Sequence, residues 1–405
     1  MDDGQSVVTR RQRRGAVSLL LAMVLLGVFP LDVLLPSFPA LAEHFRRTPA
    51  DIALSISLFA VGIAFAQLLI GPLSDVIGRK GLLLAGMSIS ILGALGCVMT
   101  SDYSLFLIFR VVQALGCGCF VLSQALVQDL FEGEQRDRLR ILMVTAGGIF
   151  ISISPLAGTF LQATLGWRGS FWVFIALSAA VLLKAWLFLE NTRPTASGTR
   201  TNFLRAYRRV LGDFDFVGYW LISAFAFACH FSFIVISPLI FMDRLQLSAY
   251  EFSLILLIYG AAYVTGGILA SVLSRRINSG QQMVVGLSLI LFAGVTMLYL
   301  SSNFALAPAT VLIPMLICTA GTTIARPAAT SRAMSLFPEN AGTSASAGST
   351  IIFICGGLIS ALISLSPTNL QSTLGYSFVI LSGVALALNA RISRRNDLVG
   401  QPDSD

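Results

Sequence analysis

Two charges stand inside long apolar runs of this chain, and burying a charge in hydrocarbon is costly enough to imply a use. Asp32 lies in the first run and Arg110 in the fourth. Asp32 falls about nine residues before one end of its run, and Arg110 about six residues after the matching end of an oppositely directed run. At 1.5 Å per residue their depths differ by only ~5 Å, so the two can pair or share a water-filled cavity. A fixed ion pair would simply lock two helices. A carboxylate that exchanges protons or meets a ligand would be set by desolvation against the pull of the guanidinium. Gln113, one turn from Arg110, either caps the guanidinium or faces a ligand. Gln67, Gln124, His230, Tyr259 and Tyr263 are further polar groups in apolar runs, each either helix-to-helix glue or cavity lining. Bond-making chemistry is not indicated: there are two histidines, and no His/Cys/Glu cluster. All six cysteines sit in apolar runs without metal-like spacing and read as small buried hydrophobes. Neither an enzyme, a metal nor a cofactor is expected.

A second polar group, Gly71-Pro72-Leu73-Ser74-Asp75-Val76-Ile77-Gly78-Arg79-Lys80, separates the apolar runs 52–70 and 81–100. Gly71 and Pro72 are expected to stop the first run as a helix, and Gly78 to supply the turn. Three charges in six residues serve at least as a loop anchor at the membrane surface.

The elements that must position these residues follow from composition. Of 405 residues 56% are hydrophobic and 12% charged, with mean hydropathy +0.82, whereas a soluble protein carries roughly 25% charged residues. The chain therefore reads as an all-α polytopic membrane protein. Twelve spans of ~20 residues fit: 16–41, 51–72, 81–100, 104–128, 141–164, 170–189, 215–239, 250–273, 281–300, 305–328, 342–365 and 372–391. The first imitates a signal peptide but is too long for one and holds Pro30, Pro36 and Pro39, so it is expected to be retained. Residues 1–189 form an N-terminal six-helix bundle, 190–214 a cytoplasmic linker, and 215–405 a C-terminal six-helix bundle with a short tail. With both termini cytoplasmic, twenty-one basic residues fall inside and four outside. That bias accounts for the net charge of +7 without a nucleic-acid partner. The halves echo each other at a shift of 196 residues, which lays Gly78-Arg79-Lys80 on Ser274-Arg275-Arg276, Asp75 on Ser271, and Asp32 two positions from His230.

The loop between spans two and three resembles the Gly-x-Leu-(Ser/Ala)-Asp-x-x-Gly-Arg-(Arg/Lys) pattern of the major facilitator superfamily, with Val76 where a basic residue often follows the Asp. Arg110-Val111-Val112-Gln113-Ala114-Leu115-Gly116 resembles the fourth-span signature of its proton-coupled members. Ser154-Pro155-Leu156-Ala157-Gly158 resembles the exporters' Gly-Pro-x-x-Gly, with Ser for the first Gly. Pro30-Leu31-Asp32-Val33-Leu34-Leu35-Pro36, Gln128-Asp129-Leu130-Phe131 and Ala341-Gly342-Thr343-Ser344-Ala345-Ser346 are similar to segments of the bicyclomycin/chloramphenicol-resistance (Bcr/CflA) type of drug–proton antiporter, with Gln128 where that type has Arg. The resemblance implies two pseudo-symmetric six-helix bundles, a bacterial inner-membrane location, and proton-driven export of drugs or small amphiphilic metabolites by a monomer using alternating access. An importer or facilitator of a small nutrient or siderophore is the alternative on the same fold. Within that frame Asp32 would exchange protons and Arg110 would tune it or receive an anionic group. Asp75 would face the start of span eleven near Gly342, and Arg79 would reach Asp129 to latch the cytoplasmic side. Pro155 and Gly158 would give span five a bend and close packing.

Overall fold

Five of the long helices start on a polar cap set just ahead of an apolar run: Thr48, Asp102, Asp213, Ser248 and Asn278. The computed structural model describes residues 10–131, 133–189, 203–337, 341–366 and 369–399. The first bundle comprises α1 (Arg10–Asp32), α2 (Phe38–Phe45), α3 (Pro49–Ile77), α4 (Arg79–Met99), α5 (Tyr103–Cys117), α6 (Leu122–Leu130), α7 (Gly133–Leu165) and α8 (Trp167–Phe188). A short α9 (Phe203–Leu211) precedes α10 (Phe214–Pro238), α11 (Ala249–Leu273), α12 (Ser279–Asn303), α13 (Pro308–Leu336), α14 (Ala341–Ser364) and α15 (Leu370–Val399). Thr48 with Asp51 caps α3, and Ser248 with Glu251 caps α11, each side chain satisfying a free N–H of the first turn. Among the described residues twelve helical segments are long and apolar enough to cross a membrane. The first joins α1 to α2, and the seventh joins α10 to a π-turn over Leu239–Arg244.

Three sequence expectations change. Helix α3 does not stop at Gly71 and Pro72 but runs on to Ile77, where Gly78 at φ 94° turns the chain into α4. Pro72 has no N–H to give the Leu68 carbonyl one turn back. The Tyr207 hydroxyl of α9 donates to that carbonyl instead, at 2.9 Å. Helix α13 runs to Leu336, past the expected end of span ten. The repeat register also differs. Arg46 and Gln246, the two non-glycine residues with positive φ among those described, stand 200 positions apart, as do the Thr48 and Ser248 caps. Helix α3 has 29 residues and α11 has 25, so the 196 shift holds only beyond that extra turn. Asp32 thus matches Ser232.

The halves meet along α3 with α14 and along α7 with α11. On the first seam Ser57 Oγ hydrogen-bonds Ser360 Oγ (2.8 Å), Thr350 Oγ1 donates to Ala64 O (3.2 Å), and Ser346 Oγ donates to Gln67 O (2.7 Å). On the second, Ser253 Oγ donates to Pro155 O (3.0 Å), and Thr159 Oγ1 hydrogen-bonds Ser253 Oγ (2.6 Å). Small hydroxyls and glycines let backbones approach here, as they do between membrane helices that gain little from hydrophobic burial.

Candidate functional site

The centre of the first bundle is a broken helix. Helix α1 ends at Asp32, and a 3-10 turn over Leu35–Ser37 leads into α2. Pro36 and Pro39 lack the N–H groups that would continue the ladder to Asp32 and Leu35. The last carbonyls of α1, with no further turn to bond them, also need partners. The Arg110 guanidinium supplies one, donating from Nη2 to Pro30 O at 3.1 Å, while Nη1 donates to Gln113 Oε1 at 2.8 Å. Arg110 is 0% exposed, and its guanidinium lies 4.1 Å from the Phe59 ring centroid. A cation at a helix C-terminus, stacked on an aromatic face, is stabilised by both the dipole and the ring quadrupole.

The Asp32–Arg110 pair expected from depth is not formed. Among the described residues the ion pairs are Arg244–Asp243 and Arg395–Asp215. The reason is the break itself, which offers Arg110 a carbonyl two residues before the carboxylate. Gln113 takes the first of its two expected roles and caps the guanidinium. Asp32 is 8% exposed and has no hydrogen-bond or ion-pair partner among the described residues. The turn that follows it packs against α10 and α11 of the other bundle.

Gly158 sets where the break sits. A Cβ there would lie 2.3 Å from Val33 O and 3.2 Å from Pro36 Cδ, so only glycine lets α7 press against the turn that follows Asp32. Pro155, one turn earlier, presents its carbonyl to Ser253 of α11. Ser154, the departure from the exporter pattern, bonds back to Phe150 O and leaves the helix closed.

In the second bundle His230 and Tyr259 are buried and hydrogen-bond each other through Nδ1 and the hydroxyl, with rings stacked at 25°. Each supplies the other's polar partner across α10 and α11. Tyr263 is half-buried, its ring centroid 5.4 Å from that of His230. Gln67 gives its backbone carbonyl to Ser346, while its side-chain Oε1 is buried with no partner. Gly71 lies against Ser346, whose Cβ is 3.1 Å from where a glycine Cβ would stand. Arg79 opens α4 and, with Lys80, is half-buried. The side chains of Asp75, Gln124 and Asp129, and the surroundings of Gly342, lie outside the described residues, so the latch is not seen.

Two features were missed in sequence. Tyr207, in the connection between bundles, hydrogen-bonds both Leu68 O of α3 and Ser346 Oγ of α14 (3.0 Å); nothing in a linker tyrosine announces this. Arg326 lies two residues from the end of the expected span 305–328, where a side chain can reach the headgroups. With α13 extended to Leu336 it stands ten residues inside the helix, about 15 Å from its end.

Two six-helix bundles meeting along paired small-residue seams, with a broken charged helix at the join, define a polytopic secondary transporter. Residues 17–361 match the Major Facilitator Superfamily, and the chain belongs to that family. It is similar to Multidrug resistance protein D of Escherichia coli (27% identity over 97% of this chain and 100% of that one). It is also similar to the Chloramphenicol resistance protein of Pseudomonas aeruginosa (29%, covering 96% and 93%). Among solved structures, a bacterial homologue of the human lysosomal transporter Spinster, inward-facing and unoccupied, superposes with a TM-score of 0.74 at 16% identity, covering 95% and 98% of the two chains. The protein is thus a multi-pass transporter of the bacterial inner membrane and not an enzyme.

Proposed function

We propose that the chain is a proton-coupled exporter of drugs or small amphiphilic metabolites, working as a monomer by alternating access and driven by the proton gradient without a cofactor. Both termini and the Arg79–Lys80 loop face the cytoplasm. The bundles 1–189 and 215–405 rock on the α3–α14 and α7–α11 seams, joined by the linker 190–214. The observation that carries the reading is Asp32: a carboxylate at a helix break, buried, without a partner among the described residues, and followed by a turn that packs on α10 and α11 of the opposite bundle. A partnerless carboxylate in a dry site is costly when ionised, so protonation and release can follow which side the break opens to. Broken helices at bundle interfaces are where transporters of this build hold substrate and coupling ion. The resistance proteins among the relatives support the direction of transport and the substrate class.

The test is drug uptake into everted vesicles, where exporters accumulate substrate, against right-side-out vesicles. Asp32→Asn is expected to abolish pH-driven accumulation while leaving substrate binding and passive exchange intact. Full pH-driven transport by that variant would refute the coupling role.

A further inference from the structure

Arg326 is the unexplained charge of the second bundle. Its guanidinium lies over the Phe227 ring, 4.9 Å from the centroid, and its Nε is buried with no hydrogen-bond partner. The Phe227 ring beneath it lies 6.5 Å, centroid to centroid, from His230. Among the described residues no carboxylate pairs with it. A guanidinium this far inside a span, facing the bundle and lacking a counter-ion, is a functional group by default.

The surroundings indicate what it would hold. Phe227 stands edge-on to Phe353 of α14 at 5.4 Å and stacked on Phe231 at 5.2 Å. Arg326, Phe227, Phe353 and Tyr263 are all half-buried. Helix α10, which carries Phe227, is covered by α13, α14, α15 and α3, so these half-covered faces open into the interior of the protein and not toward lipid. One cation and an aromatic wall, with no acidic partner among the described residues, make a receptor for an aromatic anion: the charge meets the guanidinium donors, and the ring packs on Phe227 and Phe353.

We infer that Arg326, Phe227 and Phe353 form a binding subsite for aromatic organic anions, such as aryl carboxylates. The inference rests on the transporter reading and names a substrate class for its central site. The subsite adjoins the His230–Tyr259 pair through Phe227, whose ring centroid is 6.5 Å from that of His230. An anion on Arg326 would supply the counter-ion that no described carboxylate provides.

The test uses the full chain purified in lipid nanodiscs, with 1-naphthoate and its uncharged analogue 1-naphthamide as probes. Affinity is read from the dose dependence of thermal stabilisation. Naphthoate is expected to bind wild type about tenfold or more tightly than the amide, the scale of a charge-assisted hydrogen bond. Arg326→Gln should bring the two within about twofold, with the amide affinity unchanged, and Arg326→Lys should keep part of the preference. Equal binding of acid and amide by wild type would overturn the subsite, as would a preference that survives Arg326→Gln. Stabilisation by sodium chloride equal to that by naphthoate would also overturn it, in favour of an inorganic-anion site. If Arg326→Gln does not fold, the wild-type preference and Arg326→Lys still decide. The readout requires neither a gradient nor a direction, so it separates failure of this subsite from failure of the export reading.

Discussion

Replacing Gly158 by alanine tests whether the α7 contact positions the coupling carboxylate. The added Cβ would stand 2.3 Å from Val33 O, 3.0 Å from Val33 C and 3.2 Å from Pro36 Cδ. None of these atoms is the end of a flexible side chain, so relief requires the turn after Asp32 to move away from α7. Overpacking of this kind costs about 1–3 kcal/mol, and the displacement carries Asp32 with it. Gly147 provides the control on the same helix. A Cβ there meets only Val24 Cγ1 at 3.4 Å, an ordinary contact, and alanine has the higher helix propensity by roughly 1 kcal/mol. Gly158→Ala should therefore lower the thermal midpoint of the purified protein and cut gradient-driven transport several-fold or more, while Gly147→Ala leaves both near wild type or raises stability. Measuring both variants by thermal unfolding in nanodiscs and by uptake into everted vesicles makes the comparison internal. Matching behaviour of the two variants in both assays would refute the argument that the α7 contact holds the break in place.

The remaining predictions concern other contacts. Arg110→Gln removes the donor to Pro30 O, a charge-assisted bond worth about 1.5–3 kcal/mol. Transport should fall while its pH optimum stays in place, whereas an ion pair with Asp32 would move the optimum upward by one to three units. Ser253→Ala cuts one bond of the α7–α11 seam, about 1 kcal/mol. A double cycle with Thr159→Ala should show coupling in thermal stability, and strict additivity would mean the pair does not interact. Tyr207→Phe removes both bonds that tie the linker to α3 and α14. Spin labels on the Arg79 ends of α3 and α14 should report a wider distance, and an unchanged distribution would assign the tyrosine to packing. Asp75→Asn should bias the same labels toward the inward-facing state, since a helix-end contact is worth ~0.3–2 kcal/mol and transporter states differ by only a few. Lost transport with unchanged distances would leave Asp75 a topological role.

The twelve spans could be read from hydropathy because length and apolar content are local, and the bilayer admits few alternatives to a helix. Residues 16–41 read as one span, so the break at Asp32 came from the structure although Pro36 and Pro39 carry its cause; the one-turn spacing of Arg110 and Gln113 left a bond between them as one of two roles. The chain order alone could not tell which group Arg110 would take. Depth placed it level with Asp32, but a helix broken by proline exposes a carbonyl as well as a carboxylate, and only packing chose the carbonyl. Pro72 shows the converse: it reads as a stop until a tyrosine more than a hundred residues later accepts the role of the missing donor. Arg326 looked close to a span end because the apolar run stops near 328, yet α13 tolerates Pro327 and runs on to Leu336. Composition and spacing thus determined that the chain crosses a membrane twelve times and carries a carboxylate and a guanidinium in its first half. Which backbone group each charge meets, which tyrosine hydroxyl bonds His230, and where Arg326 lies along its helix were decided by tertiary contacts, because each depends on atoms far apart in sequence.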